Sequence, residues 1–102
     1  MVKNENLTFD NIVFSKNMFG DGISARTQFD NGVVLSIVAG KGAYSNPREA
    51  KFSSDDFRSF EVAILDGEDN FITMKFAPDA GNDVLGWMSR EDINELITKI
   101  NK

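Results

Sequence analysis

Residues 23–39, ISARTQFDNGVVLSIVA, constrain the fold more than any other stretch. Ile23, Ala25, Thr27 and Phe29 alternate with Ser24, Arg26 and Gln28, the period of a strand that turns one face to a core. Asp30, Asn31 and Gly32 follow, and Asn-Gly between two strand patterns is the strongest short-range hairpin signal. Residues 33–39 return apolar on both faces, which predicts a central strand.

The remaining pattern extends this hairpin. FEVAIL (60–65) and FITMKF (71–76) bracket DGEDN (66–70) and predict a second hairpin around a glycine-bearing turn. Residues 7–14 are expected to form a first strand at an edge, 17–22 a turn, and 82–88 a short helical turn. From Ser89 the chain reads as a helix: Ser89 is the N-cap, Asp92 stands three residues on, and Glu91 and Asp92 suit the positive end of the dipole. Ile93, Leu96, Ile97 and Ile100 make one apolar stripe. The expected fold is α+β, a single domain over 1–102. Two hairpins form an antiparallel sheet of four or five strands, and the C-terminal amphipathic helix packs on one face.

Absent residue types narrow the chemistry. The chain has no cysteine and no histidine. This removes thiolate nucleophiles, disulfides, Cys- and His-based zinc sites and the commonest general base. A net charge of −5 argues against a general nucleic-acid binder, which carries a basic stripe. No apolar run approaches the length of a membrane span, and the first ten residues lack a signal-peptide core. The expectation is a soluble cytoplasmic chain, not an enzyme, with no cofactor, no bound metal and no membrane partner.

Three stretches invite a site. AGKGAYSNPREAK (39–51) carries three basic side chains against one acidic, with two glycines and a tyrosine. It is not a phosphate-binding P-loop, because Gly40 directly precedes Lys41, Gly42 follows, and Pro47 discourages a helix. Lys41, Gly42, Tyr44 and Arg48, joined by Arg26 from the neighbouring strand, are candidates to bind a small anion such as a nucleotide; a solvated connection between strands is the alternative. In SSDDF, Asp55 and Asp56 suit a helix start capped by Ser54 rather than an acid–base pair. DGEDN has acidic residues at alternate positions, yet Phe71 stands where a calcium loop needs glycine, so a β-turn is expected. Of the aromatics, Phe9, Phe14, Phe29, Phe60, Phe71 and Phe76 fall in strand patterns and are expected in the core. Phe19, Tyr44, Phe52, Phe57 and Trp87 lie in loops or at boundaries and are the candidates for partner contact, with Trp87 expected to pack on the sheet or staple the helix.

Phe19, Gly20 and Gly22, then Phe29, Asn31 and Gly32, Gly42 and Tyr44, residues 61–66 (EVAILD) and residues 83–86 (DVLG) occur in an order that resembles a family of small uncharacterised proteins of tailed bacteriophages. The likeness covers roughly 18–100 and implies a phage origin without an established activity; the 46–59 connection is longer than that pattern leads one to expect. The resulting expectation is a non-enzymatic phage accessory protein in the host cytoplasm that binds a host protein. A binder or sequestering protein for a small anionic ligand, through loop 40–51, is the alternative. A homodimer is compatible with either, since a second copy would close an uncovered strand edge.

Overall fold

The computed structural model describes residues 7–17 and 20–101. Phe19, and with it part of the expected 17–22 turn, lies outside them. Five strands form one antiparallel sheet in sequence order: β1 (Ser15–Lys16), β2 (Gly22–Gln28), β3 (Val34–Gly40), β4 (Phe60–Leu65) and β5 (Leu85–Met88). The fold is α+β, with a short helix α1 (Thr73–Phe76) and the C-terminal helix α2 (Arg90–Ile100).

The β2–β3 hairpin follows the sequence pattern. Ile23 pairs with Ala39, Ala25 with Ile37 and Thr27 with Leu35, so one face collects the apolar residues. Phe29 N–H donates to Val33 O at 2.8 Å and Gly32 N–H to Phe29 O at 3.0 Å, closing the turn. β3 is the central strand, and β4 adds Val62 beside Ile37 and Ile64 beside Leu35. The α2 stripe of Ile93, Leu96, Ile97 and Ile100 joins the same buried cluster. Each such aliphatic side chain gains roughly 1.5–3 kcal/mol on leaving water.

Both ends of α2 are capped. Ser89 Oγ accepts from Asp92 N–H at 3.0 Å while Asp92 Oδ2 accepts from Ser89 N–H at 3.1 Å. At the other end the hairpin turn reaches across: Asn31 Nδ2 donates to Ile100 O at 2.9 Å, occupying one of the carbonyls that a helix end leaves unpaired.

Residues 7–14 do not form the expected strand. Residues 9–11 make a 3-10 turn, and the edge strand shrinks to Ser15–Lys16. Here side chains take the backbone groups that a strand would pair: Asn11 Oδ1 accepts from Thr8 N–H at 3.0 Å and Asn94 Oδ1 from Phe9 N–H at 2.8 Å. Phe9 is buried against Phe60 at 5.0 Å between centroids.

The expected second hairpin is replaced. The 66–70 segment is a turn, with Asp69 N–H donating to Asp66 O at 3.2 Å, but Phe71 forms only an isolated bridge to Leu65 and is exposed. Ile72 N–H donates to Ile64 O at 2.8 Å, and the chain then coils into α1. The buried Thr73 hydroxyl accepts from Ile64 N–H at 3.0 Å and donates to Asp83 O at 2.6 Å. A side chain thus completes the β4 edge where a strand was expected, and the true fifth strand comes from the 82–88 stretch.

Two further corrections concern the connection before β4. Phe57, expected at the surface, is buried, its ring centroid 6.1 Å from that of Phe60. The cap of the 54–56 turn is Ser53, one residue earlier than expected, its Oγ accepting from Asp55 N–H at 3.3 Å.

Thr73→Val keeps the shape but strands Ile64 N–H inside the protein. A loss of about 1–3 kcal/mol in urea unfolding is expected, against little change for the exposed Thr98→Val. The Asp66 carboxyl is held below the usual aspartate range, first by Asn70 N–H, then by the Asn70 amide and Glu68 N–H. The charged form therefore supports the turn at all higher pH, and that support is lost as pH falls through the depressed value. Following the Glu68 and Asn70 amide resonances through an acid titration should give a midpoint below that of an unperturbed aspartate.

Candidate functional site

The 40–59 connection is anchored along its length. Lys41 N–H donates to Asp21 O at 2.8 Å as β3 ends. The buried Ser45 hydroxyl accepts from Gly40 N–H at 3.1 Å and donates to Pro47 O at 2.9 Å. Asn46 then bridges Ser59, just ahead of β4. Between these anchors Tyr44 crosses the sheet on the face away from α2: its N–H donates to Glu61 Oε1 at 3.1 Å, and its carbonyl accepts from Trp87 N–H at 2.8 Å.

An irregularity in β5 makes the second of these bonds possible. Phe60 pairs with Met88 and Val62 with Leu85, so Glu61 faces two residues, Gly86 and Trp87. Such a bulge turns a side chain out of its regular place. Leu85 and Met88 stay packed against the core, while Trp87 takes φ 52° and is 57% exposed. Gly86 leaves room for the aromatic, because a Cβ there would stand 3.0 Å from Tyr44 Cβ. The Tyr44 and Trp87 rings lie 5.2 Å apart, and the Arg48 guanidinium sits 5.5 Å from the Tyr44 centroid on the same ring system. Arg48, Tyr44 and Trp87 thus form an exposed row above Glu61.

Of the five residues singled out in the sequence, Tyr44 and Arg48 come together. Lys41 is exposed and carries no ion pair among the described residues. Gly42 has φ 85° with nothing within 4 Å of a Cβ position, so it serves the turn rather than a close approach. Arg26 stands opposite Ser36, four residues along β2 from Gly22, or about 13 Å at the usual strand rise. Its guanidinium pairs with Asp69 at 2.7 Å, an exposed contact directed to the 66–70 turn.

A concavity of about 280 Å³ opens elsewhere, between α2 and β5, lined by Ala77, Leu85, Met88 and Leu96 with Asp92, Glu95 and Lys99. Of the remaining aromatics proposed for contact, Phe52 is exposed, with Lys16 Nζ 5.0 Å over its ring. Trp87 neither packs on the core nor staples the helix, and its partnership with Tyr44 was missed. The three-residue spacing of Leu85 and Met88 fits a helical turn as well, and the signal against a helix was Gly86 between them, a residue that in a strand marks a bulge.

No protein-family model, curated protein or solved structure matches the chain. The site's own chemistry is therefore the guide. Tyrosine and tryptophan side by side, each with an apolar body and a polar tip, suit contact with a partner surface, and such residues dominate binding hot spots. An aromatic residue at positive φ is a backbone outlier, and such outliers concentrate where function requires them.

The balance of strain and contact is measurable. Trp87→Gly relieves the left-handed backbone, worth about 1–2 kcal/mol, and loses a ring contact worth about 0.5–1.5 kcal/mol. Stability should therefore change by no more than about 1.5 kcal/mol, where truncating a core aromatic costs about 3–5 kcal/mol. Thermal and urea unfolding of the variant decide between the two.

Proposed function

We propose that this chain is a non-enzymatic accessory protein that acts by binding another protein through the Arg48–Tyr44–Trp87 surface. The observation that carries the reading is Trp87, exposed, bulged out of β5 and held at positive φ beside an exposed tyrosine. The left-handed backbone offsets most of what the Trp87 ring gains from its contact with Tyr44, so folding profits little from a bulky aromatic there. The ordered resemblance to small tailed-phage proteins supports a phage origin, and with it a bacterial host protein as the partner and the host cytoplasm as the place of action.

The small-anion reading draws less support. It asks Lys41, Tyr44 and Arg48 to converge in a concavity, with Arg26 as an optional fourth. Tyr44 and Arg48 do meet, but as exposed side chains, the concavity beside α2 is lined by other residues, and Arg26 is paired with Asp69.

Capture from host extract with wild-type protein and with a Tyr44→Ser/Trp87→Ser double variant tests the proposal. The wild type should retain a partner at fixed stoichiometry, and the double variant, shown folded by circular dichroism, should lose it. Retention by the double variant would sink the reading. So would a small-molecule adduct in native mass spectrometry that disappears in Arg48→Ala.

A further inference from the structure

Covering Trp87 with a partner also covers what lies beneath it. Glu61 is half-buried in β4, opposite the bulge, and its Oε1 is fixed by Tyr44 N–H. Its second oxygen has no protein partner among the described residues. A carboxylate buried under an interface without a compensating donor is costly. Glu61 is tethered by the Tyr44 N–H, whereas Lys41 and Arg48 are long and exposed and can keep their charges in water.

The aromatic row adds a second requirement. Its Tyr44 end already holds a guanidinium, from Arg48. Its Trp87 end, the ring type that attracts cations most strongly, has none among the described residues. A guanidinium lies flat on an aromatic face and also offers its N–H edge to a carboxylate, which meets both demands at once.

We infer that the Trp87–Glu61 end of this surface takes an arginine side chain from the partner, so that the docking segment is a basic one. The inference rests on the reading of this surface as protein-binding. An acidic segment would set like charge against Glu61 and against the negative faces of the rings. The net charge of −5 favours the approach of a basic segment, and the exposed Arg48 on the Tyr44 ring directs that segment's charge to the Trp87–Glu61 end.

The chain has a single tryptophan, so its fluorescence reports on this site alone. The whole protein is titrated with a blocked hexapeptide containing two arginines, with its citrulline counterpart (same shape, no charge) and with its glutamate counterpart. Saturable change in Trp87 emission is expected with the arginine peptide, with affinity at least about tenfold below it for citrulline and no response to glutamate.

Glu61→Gln should weaken the arginine peptide while keeping the Tyr44 N–H bond. Trp87→Ala, followed by calorimetry, leaves the net charge unchanged and should abolish binding. Equal affinity for citrulline, preference for glutamate, or undiminished binding by Trp87→Ala would overturn the inference. If partner capture depends on Tyr44 and Trp87 but the arginine peptide has no advantage, this inference alone falls. If capture ignores those residues, the underlying reading falls with it.

Discussion

One helix has to cover a five-stranded sheet, and it can cover only one face. Ile93, Leu96, Ile97 and Ile100 seal the face made by Ile23, Ala25, Leu35, Ile37, Val62 and Ile64, while on the other side Val34, Ala63 and Leu65 form a separate small cluster. Everything that fixes α2 therefore fixes the core. The hairpin turn caps its C-terminal end through Asn31, the N-terminal segment is tied to it through Asn94, and its first residue, Arg90, reaches Ser54 O at 2.7 Å and Phe57 O at 3.0 Å. A positive charge at a helix start opposes the dipole. Here that cost is offset by two charge-assisted hydrogen bonds to backbone carbonyls.

The face away from α2 carries the consequence. Ser24, Ser36 and Val38 at its centre are only half-buried. The long 40–59 connection partly fills this space, and around Tyr44 its path is held by hydrogen bonds to Glu61 and Trp87. Tyr44 is thereby suspended over Gly86 by two hydrogen bonds, both to positions around the β5 bulge. Core and surface meet at this bulge: Leu85 and Met88 face inward because Gly86 and Trp87 together occupy one step of the ladder.

The features legible in the sequence are those whose cause is local. Alternation from Ile23 to Phe29, the Asn31-Gly32 turn and the Ser89–Asp92 box each specify their own backbone, and the structure has all three. The failures share a different cause, a backbone group satisfied outside the regular ladder. The Thr73 hydroxyl answers Ile64 N–H, Asn94 Oδ1 answers Phe9 N–H, Glu61 Oε1 answers Tyr44 N–H, and the Tyr44 carbonyl answers Trp87 N–H. None of these pairings leaves a periodic trace, so FITMKF and LTFDNIVF pass for strands by composition while β5 passes for a turn. For the same reason Tyr44 and Arg48 could be nominated from a basic loop, but Trp87, some forty residues later, could not be joined to them.

Two arginines on aromatic rings differ in burial, and with it in what their contacts contribute to folding. The Arg90 guanidinium lies 5.1 Å from the Phe9 centroid and 5.3 Å from that of Phe60, with carbonyls at its edge and little room for water. Cation–π attraction strengthens as water is removed, so this contact binds the N-terminal segment, β4 and α2 into one unit. Arg48 makes the same kind of contact with Tyr44 at 5.5 Å, but both side chains are exposed and water competes for the charge. The contact contributes little to folding there. A partner that excluded water from the Tyr44–Trp87 row would move these contacts from the weak regime to the strong one. Affinity would then come from desolvating a geometry that the bulge and the Glu61 hydrogen bond have already fixed, with little side-chain ordering left to oppose it.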